Sequence, residues 1–233
     1  MKIISLESGR TTWLFPVEEI LPLGGADGPA IIAAISSRYK FTHPPANPTR
    51  EDIDKNGLKF AGGQMVHNGK IVNVAEFVVF NDGIVSISTS TEIAEAFLQE
   101  IYGFLVSEFA FREITSEVKK VHQSTVVVDF DASLNDFLHG HGAEIDLIGK
   151  HLNSIDNTNF PVAVARIDFV LNKDPEFRPP NIPRLMIEKR AQTQFSQHRY
   201  FSNAPIHTAK HLEILERIER GLHKSKGQGI QTS

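Results

Sequence analysis

The sequence predicts an α+β fold, built mainly on an antiparallel sheet with two long helices packed on it. Two tight turns, Asn68-Gly69 and Asn81-Asp82-Gly83, join three β-rich runs into a meander over residues 58–90. Asn, Asp and Gly tolerate the positive φ that short hairpin turns require, so these turns favour antiparallel pairing. A long apolar stripe over Thr91–Phe109 then predicts a helix that must bury one face. Further strands are expected near residues 125, 165 and 187, and a closing helix is expected over Thr208–Leu222.

The elements before the meander are shorter. Lys2–Leu6 and Thr11–Val17 are strand candidates, and the glycine-rich stretch after them matches no phosphate-binding motif. Asp27 is expected to cap a helix over Pro29–Tyr39, because a proline in the first turn costs no hydrogen bond. We therefore expect the following organisation: an N-terminal strand and helix arm over 1–42, a linker-like Pro-rich and charged segment over 43–57, a main α+β domain over 58–223 and a flexible tail over 224–233.

Two further helices and their caps can be read from the chain. Thr89 and Glu92 have the spacing of a capping box at the start of the long helix. Ser133–Leu138 and Ala143–Ile155 are expected to be helical, the second with an apolar face formed by Ile145, Ile148, Leu152 and Ile155. No internal repeat is detectable in the amino-acid sequence.

Composition excludes several classes of function. The absence of cysteine excludes disulfides, thiolate metal sites and cysteine nucleophiles, and a net charge of −4 over 233 residues gives no footprint for non-specific nucleic-acid binding. No run approaches the roughly 20 apolar residues of a membrane span, and the first residues do not form a signal peptide. The expected location is therefore the cytoplasm, and no cofactor is firmly implied.

Aspartates and histidines supply the candidate metal ligands. Asp129 and Asp131 alternate at the end of a valine-rich run, so both carboxylates could share a divalent cation, although the same residues also suit a turn and helix cap. His207 and His211 are four residues apart at the start of the closing helix and could face one ion. Solvent-facing or capping histidines are the alternative, and His139, His141 and His151 are open to the same two interpretations.

A third polar constellation combines Asp168 with Glu188 and Arg190. An Asp on one strand and a Glu-x-basic pattern on the next resemble the arrangement of PD-(D/E)xK nucleases, in which two carboxylates hold a metal. The basic residue here is arginine, which stays protonated and does not simply replace lysine. A cross-strand ion pair, Asp168 with Arg190 or Arg166 with Glu188, explains the same residues without catalysis.

The segment Gln192–Pro205 has the composition of a contact surface. Its candidate binding residues interleave aromatic rings with polar donors, as protein interfaces and single-stranded nucleic-acid platforms do. These residues are Phe195, His198, Arg199, Tyr200 and Phe201. The alternative is that the aromatic rings only fasten a long loop to the core.

The sequence thus favours a cytoplasmic interaction or assembly protein whose partner is another copy of itself or another protein. The self-association would use the aromatic and polar surface of Gln192–Pro205. Nucleic acid remains a partner that the net charge does not indicate, and no membrane contact is expected. The alternative is a metal-dependent hydrolase, nuclease-like or phosphoesterase-like, that uses Asp168 and Glu188 or the pair Asp129 and Asp131 with a divalent metal.

Overall fold

The fold is an eight-stranded antiparallel sheet with four helices packed on it, which confirms the predicted α+β class. The structure is a computed structural model that describes residues 1–46, 55–138, 141–170 and 184–228. Its strands are β1 (Lys2–Leu14), β2 (Leu58–His67), β3 (Lys70–Phe80), β4 (Gly83–Ser88), β5 (Lys119–Asp129), β6 (Arg166–Val170), β7 (Arg184–Lys189) and β8 (Arg199–Ala204). Its helices are α1 (Gly28–Tyr39), α2 (Thr91–Phe109), α3 (Gly142–Asp156) and α4 (Thr208–Gln228). No helix among these residues is long and apolar enough to cross a membrane.

The order of the elements repeats, although the amino-acid sequence does not. The chain from β1 to α2 consists of a strand, a short 3-10 turn, a helix, three strands and a helix, and the same order of elements recurs from β5 to α4. The strand order in the sheet is β2-β3-β4-β1-β5-β8-β7-β6, so each set of four strands has the same internal order when it is read from its own edge. The chain therefore does contain an internal repeat, in the order of its elements, although none is detectable in its amino-acid sequence.

Contacts divide the chain into two compact units. We call Leu6–Thr125 with Pro205–Thr208 the N-terminal unit, and Met1–Ser5 with Val126–Ala204 and Ala209–Ser233 the C-terminal unit. Much of the predicted linker, residues 47–54, lies outside the described residues, as do residues 229–233 of the predicted tail. The closing helix continues to Gln228, six residues beyond its predicted end.

Local sequence signals explain the elements of the N-terminal unit. Asn68 and Gly69 both take positive φ in the β2–β3 hairpin, and the side chain of Asp27 accepts a hydrogen bond from the Ala30 amide at the start of α1. Both features confirm the predictions. Ser90, not Thr89, caps α2 by accepting from the Ile93 amide at 3.3 Å. Ser90 and Thr89 offer equivalent hydroxyls, so spacing alone does not choose between them.

Aromatic side chains dominate the core of the N-terminal unit. Phe97 on α2 is fully buried, and its ring makes edge contacts with Tyr39, Phe41 and Phe77 at centroid distances of 5.0, 6.2 and 5.5 Å. These contacts join α2 to the helix and strands that precede it, because the rings belong to α1, the segment after it and β3. Burial of the apolar stripe of α2 against the meander is thus confirmed.

The C-terminal unit has its own core and one strand that the sequence did not reveal. Val126, Val128, Ile187 and Leu215 are fully buried in it. Strand β8 and the 3-10 turn Phe195–Gln197 replace the irregular segment that was expected before α4. Ser202, on β8, is also fully buried. The inward positions of β8 alternate regularly, but two of the three, Ser202 and Ala204, are polar or small and conceal the pattern.

Candidate interaction surface

The aromatic segment Gln192–Pro205 does not form one exposed surface. Phe195 is 55 % exposed, whereas Tyr200 is buried, and its hydroxyl accepts a hydrogen bond from the Leu134 amide. Burial raises the pKa of the Tyr200 hydroxyl above its ordinary value. The expectation that Tyr200 lies on a contact surface is corrected, because this side chain is buried in its own unit and binds the first residue of the 3-10 turn Leu134–Leu138.

The other predicted binding residues also face their own unit. Arg199 forms a bidentate ion pair with Asp129, with N–O distances of 2.7 and 2.9 Å. The carbonyl of His198 accepts from the Phe130 amide, and the ring of Phe201 lies 6.0 Å below the Arg190 guanidinium. For these three residues the structure matches the alternative in which the segment is fastened to its own unit.

Lys189 holds the loop before β8 in place through contacts with three of its residues. Its ammonium donates to the Thr193 hydroxyl at 3.0 Å and to the Gln194 carbonyl at 2.7 Å, and it lies 5.6 Å from the centre of the Phe195 ring. Partial burial lowers the pKa of this amine. Only Phe195 therefore remains as an exposed aromatic anchor in the segment.

The candidate catalytic residues do not come together around an open site. Arg166 binds both carboxylate oxygens of Asp168 at 2.9 and 3.0 Å within β6. Asp168 faces Met186 across the strand pair, while Glu188 faces Arg166. The ion pair that the structure shows runs along one strand, and neither predicted cross-strand pair replaces it. No geometric feature here favours the hydrolase over a structural role.

The candidate metal ligands are likewise divided. Asp129 is held by Arg199, and the Arg199 guanidinium keeps the pKa of that carboxyl below its ordinary value. Asp131 instead lies with Glu219 and His223, whose ligand atoms are within 4.8 Å of one another. The α-amino group of Met1 already pairs with Glu219 at 2.5 Å. The carboxylates of Asp129 and Asp131 therefore have different partners.

His207 and His211 occupy different environments. In the N-terminal unit, the ring of His207 lies on the ring of His122 with a centroid distance of 3.7 Å. In the C-terminal unit, His211 is fully buried, and its Nε2 is 2.8 Å from the Ser202 hydroxyl. Burial lowers the pKa of His211 to about 4. His139 lies outside the described residues, and the exposed ring of His141 is 4.0 Å from the Glu144 carboxylate.

Several exposed apolar side chains lie on α3 and the residues after it. Ile148, Leu152 and Ile155 are 48, 56 and 75 % exposed, and their spacing of four and three residues puts them on one face of the helix. We call these three side chains the α3 row. Large apolar side chains scattered singly on a surface need no explanation, but a continuous helical row does.

The face of α3 next to the row is covered by the chain that leaves the helix. Asn153 donates to the Phe160 carbonyl at 2.9 Å, and its side-chain oxygen accepts from the Phe160 amide at 2.8 Å. Gly149 lies against Val162, where an added Cβ would come within 3.3 Å of a methyl group. The returning segment therefore packs on the Gly149 and Asn153 side and leaves the α3 row uncovered. The ring of Phe160 itself is 71 % exposed.

The apolar face of α3 was predicted, but its exposure was not. Periodicity identifies which residues share a helical face, and it does not show whether anything in the same chain covers that face. Gly149, a glycine in the middle of the helix, was the one signal in the sequence that another segment packs beside the apolar row, because close approach of a second segment requires a small residue.

Comparisons with known proteins give no family. No protein-family model matches the chain, and no curated protein matches it. Among solved structures, one described as Methanococcus jannaschii TBP aligns over 96 % of this chain and 98 % of that chain, with 13 % sequence identity and a TM-score of 0.39. A likeness at this level carries no argument about function.

Proposed function

We propose that this protein is an assembly protein that self-associates through the α3 row. The observation that carries the proposal is the exposure of Ile148, Leu152 and Ile155 on one helical face, while the chain's own return segment packs on the neighbouring face. Burial of apolar surface is the main driving force of protein association, and exposed contiguous apolar rows mark interaction sites. The proposed contact surface is therefore on α3, and not in the segment Gln192–Pro205 that the sequence suggested.

A second copy of the chain fits the α3 row because the row is nearly symmetric about Leu152. If two α3 helices pack antiparallel around a two-fold axis at Leu152, Ile148 of each copy meets Ile155 of the other. Such an isologous contact needs only one patch and closes at a dimer. The net charge of −4 is small, so long-range repulsion between copies is weak.

Exposed polar side chains flank the row along one edge. At about 100° per residue, Glu144 and His151 lie roughly 45–65° from the centre of the row, whereas Asp146 and Lys150 lie on the far side of the helix. A polar rim beside an apolar centre is the usual anatomy of a protein interface.

Sedimentation velocity on wild type and Leu152→Glu tests the proposal. A residue on the two-fold axis counts twice, and losing roughly half of a buried leucine in each copy costs on the order of 3 kcal/mol, or about a hundredfold in the dissociation constant. We expect wild type to sediment as a dimer at tens of micromolar and the variant to sediment as a monomer.

Ser154→Glu is the matched control, because it adds the same charge to an exposed position of α3 outside the row. It should remain dimeric, and circular dichroism should show both variants folded. A wild type that stays monomeric throughout the concentration series contradicts self-association. Equal weakening by both substitutions contradicts the assignment to this row.

A further inference from the structure

The N-terminal unit contains a large apolar cavity that self-association does not use. Its volume is about 810 Å³, and it lies between α1, α2 and the strands β2 to β4. Phe60, Phe77 and Ile84 of the strands, Ile35 of α1 and Ile101 of α2 contribute to its lining. It opens to solvent beside α1, where the lining residues Ala33 and Pro44 are exposed. The volume falls within the range of small-molecule binding sites.

The chemistry of the lining is almost entirely hydrocarbon. Among the described residues that line the cavity, Ser36 and Tyr102 alone carry polar side chains, and none is charged. The Ser36 hydroxyl already donates to the Ile32 carbonyl at 2.6 Å. The Tyr102 hydroxyl accepts from the Ile114 amide at 2.8 Å. A charged group placed in this cavity would lose its hydration without gaining a partner.

The apolar walls of this cavity are in contact with water when it is empty, because it opens to solvent beside α1. Removing apolar surface from water is favourable by roughly 25 cal/mol per Å², so an apolar occupant would gain free energy by covering these walls. Water does not fill it well, because ordered water requires two or more polar partners.

We infer that this cavity binds a neutral, predominantly hydrocarbon small molecule, such as a long alkyl chain with an uncharged head group. The inference rests on the volume, on the lining without charge and on the satisfaction of both polar side chains. It is independent of the α3 row, because the described lining residues belong to the N-terminal unit and α3 belongs to the C-terminal unit.

Titration of the full chain with the neutral fluorophore N-phenyl-1-naphthylamine tests this inference. Wild type should bind it saturably, with enhanced emission. Ala33→Phe places a ring at a lining position and should weaken binding by about tenfold or more. Ala30→Phe makes the same change at an exposed position of α1 outside the lining and should leave the affinity within about twofold. If Ala33→Phe fails to fold, Ile31→Trp, at another lining position, replaces it.

Two further arms define the ligand class and the site. Dodecanol should displace the fluorophore at least about tenfold more effectively than dodecanoate at pH 8, because the lining offers no partner to a carboxylate. Leu152→Glu should bind the fluorophore as wild type does. Absence of saturable binding to wild type, equal effects of the two α1 phenylalanines, or loss of binding in Leu152→Glu overturns the cavity assignment. Displacement by dodecanoate that equals or exceeds displacement by dodecanol overturns the neutral class.

Discussion

Truncation of Phe97 is the sharpest test of the N-terminal core. Phe97→Ala removes a fully buried ring from α2, and substitutions of this kind cost about 3–5 kcal/mol through lost transfer free energy and the cavity left behind. The ring also makes edge contacts with Tyr39, Phe41 and Phe77. An aromatic pair of this kind stabilises a fold by about 0.5–1.5 kcal/mol beyond the burial of its surface. We therefore expect a loss in the upper part of that range, about 4–5 kcal/mol.

Urea unfolding followed by tryptophan fluorescence measures this loss. Trp13, the single tryptophan, is buried in the N-terminal unit, and its indole N–H donates to Glu95 at 2.9 Å, so its emission reports on the unit that contains Phe97. Phe195→Ala is the matched control: it removes the same ring from an exposed site and should cost less than about 1 kcal/mol.

A loss below about 1 kcal/mol for Phe97→Ala would refute the packing described for α2. Phe97→Leu keeps the measurement possible if the alanine variant does not fold. It retains most of the apolar volume, loses the aromatic contacts and should cost about 1–2 kcal/mol.

Three further predictions concern titrating and charged groups. Burial lowers the pKa of His211 to about 4, below its unfolded value near 6.5, so on acidification the unfolded state binds a proton before the folded state does. The free energy of unfolding should therefore fall by on the order of 3 kcal/mol as pH drops from about 6.5 to 4. The urea midpoint of His211→Gln should depend less on pH over this range. Asp129→Asn should cost about 1 kcal/mol at pH 7 by breaking the pair with Arg199, with the difference from wild type shrinking as pH falls below about 4, because this carboxyl has a lowered pKa. Mg²⁺ and Mn²⁺ should not raise the melting temperature, because Arg166 occupies both oxygens of Asp168; a rise that Asp168→Asn abolishes would restore the hydrolase alternative.

Short sequence patterns predicted those elements that need a backbone conformation which only a few residue types adopt. The β2–β3 hairpin could be placed because Asn68 and Gly69 adopt the positive φ that the turn demands. Strand β8 could not, because its buried positions include Ser202, whose hydroxyl is bonded to His211 on the helix that follows. A polar residue becomes a good inward residue only once that partner is known.

The candidate site was predicted in part. Ile148, Leu152 and Ile155 could be assigned to one helical face, but a hydrophobic face is the same in sequence whether it is covered or free. The aromatic residues of Gln192–Pro205 indicated contact, and the contact that the structure shows for Tyr200 is with the core of its own unit. The cavity beside α1 escaped prediction for a similar reason, since apolar residues that line a cavity look like those of a filled core.

Disulfide trapping at Leu152 tests the central claim, self-association through the α3 row, most directly. The chain has no cysteine, so Leu152→Cys introduces a single thiol. Helix axes about 8–10 Å apart, with Cα atoms about 2.3 Å from each axis, bring two on-axis Cα atoms to about 3.4–5.4 Å, and the upper part of this range is one that a disulfide spans.

Mild oxidation of Leu152→Cys at tens of micromolar should therefore give a covalent dimer on non-reducing gels. Lys150→Cys, an exposed residue of the same helix outside the row, should stay largely monomeric. Equal and slow cross-linking of both variants would contradict an interface centred on Leu152.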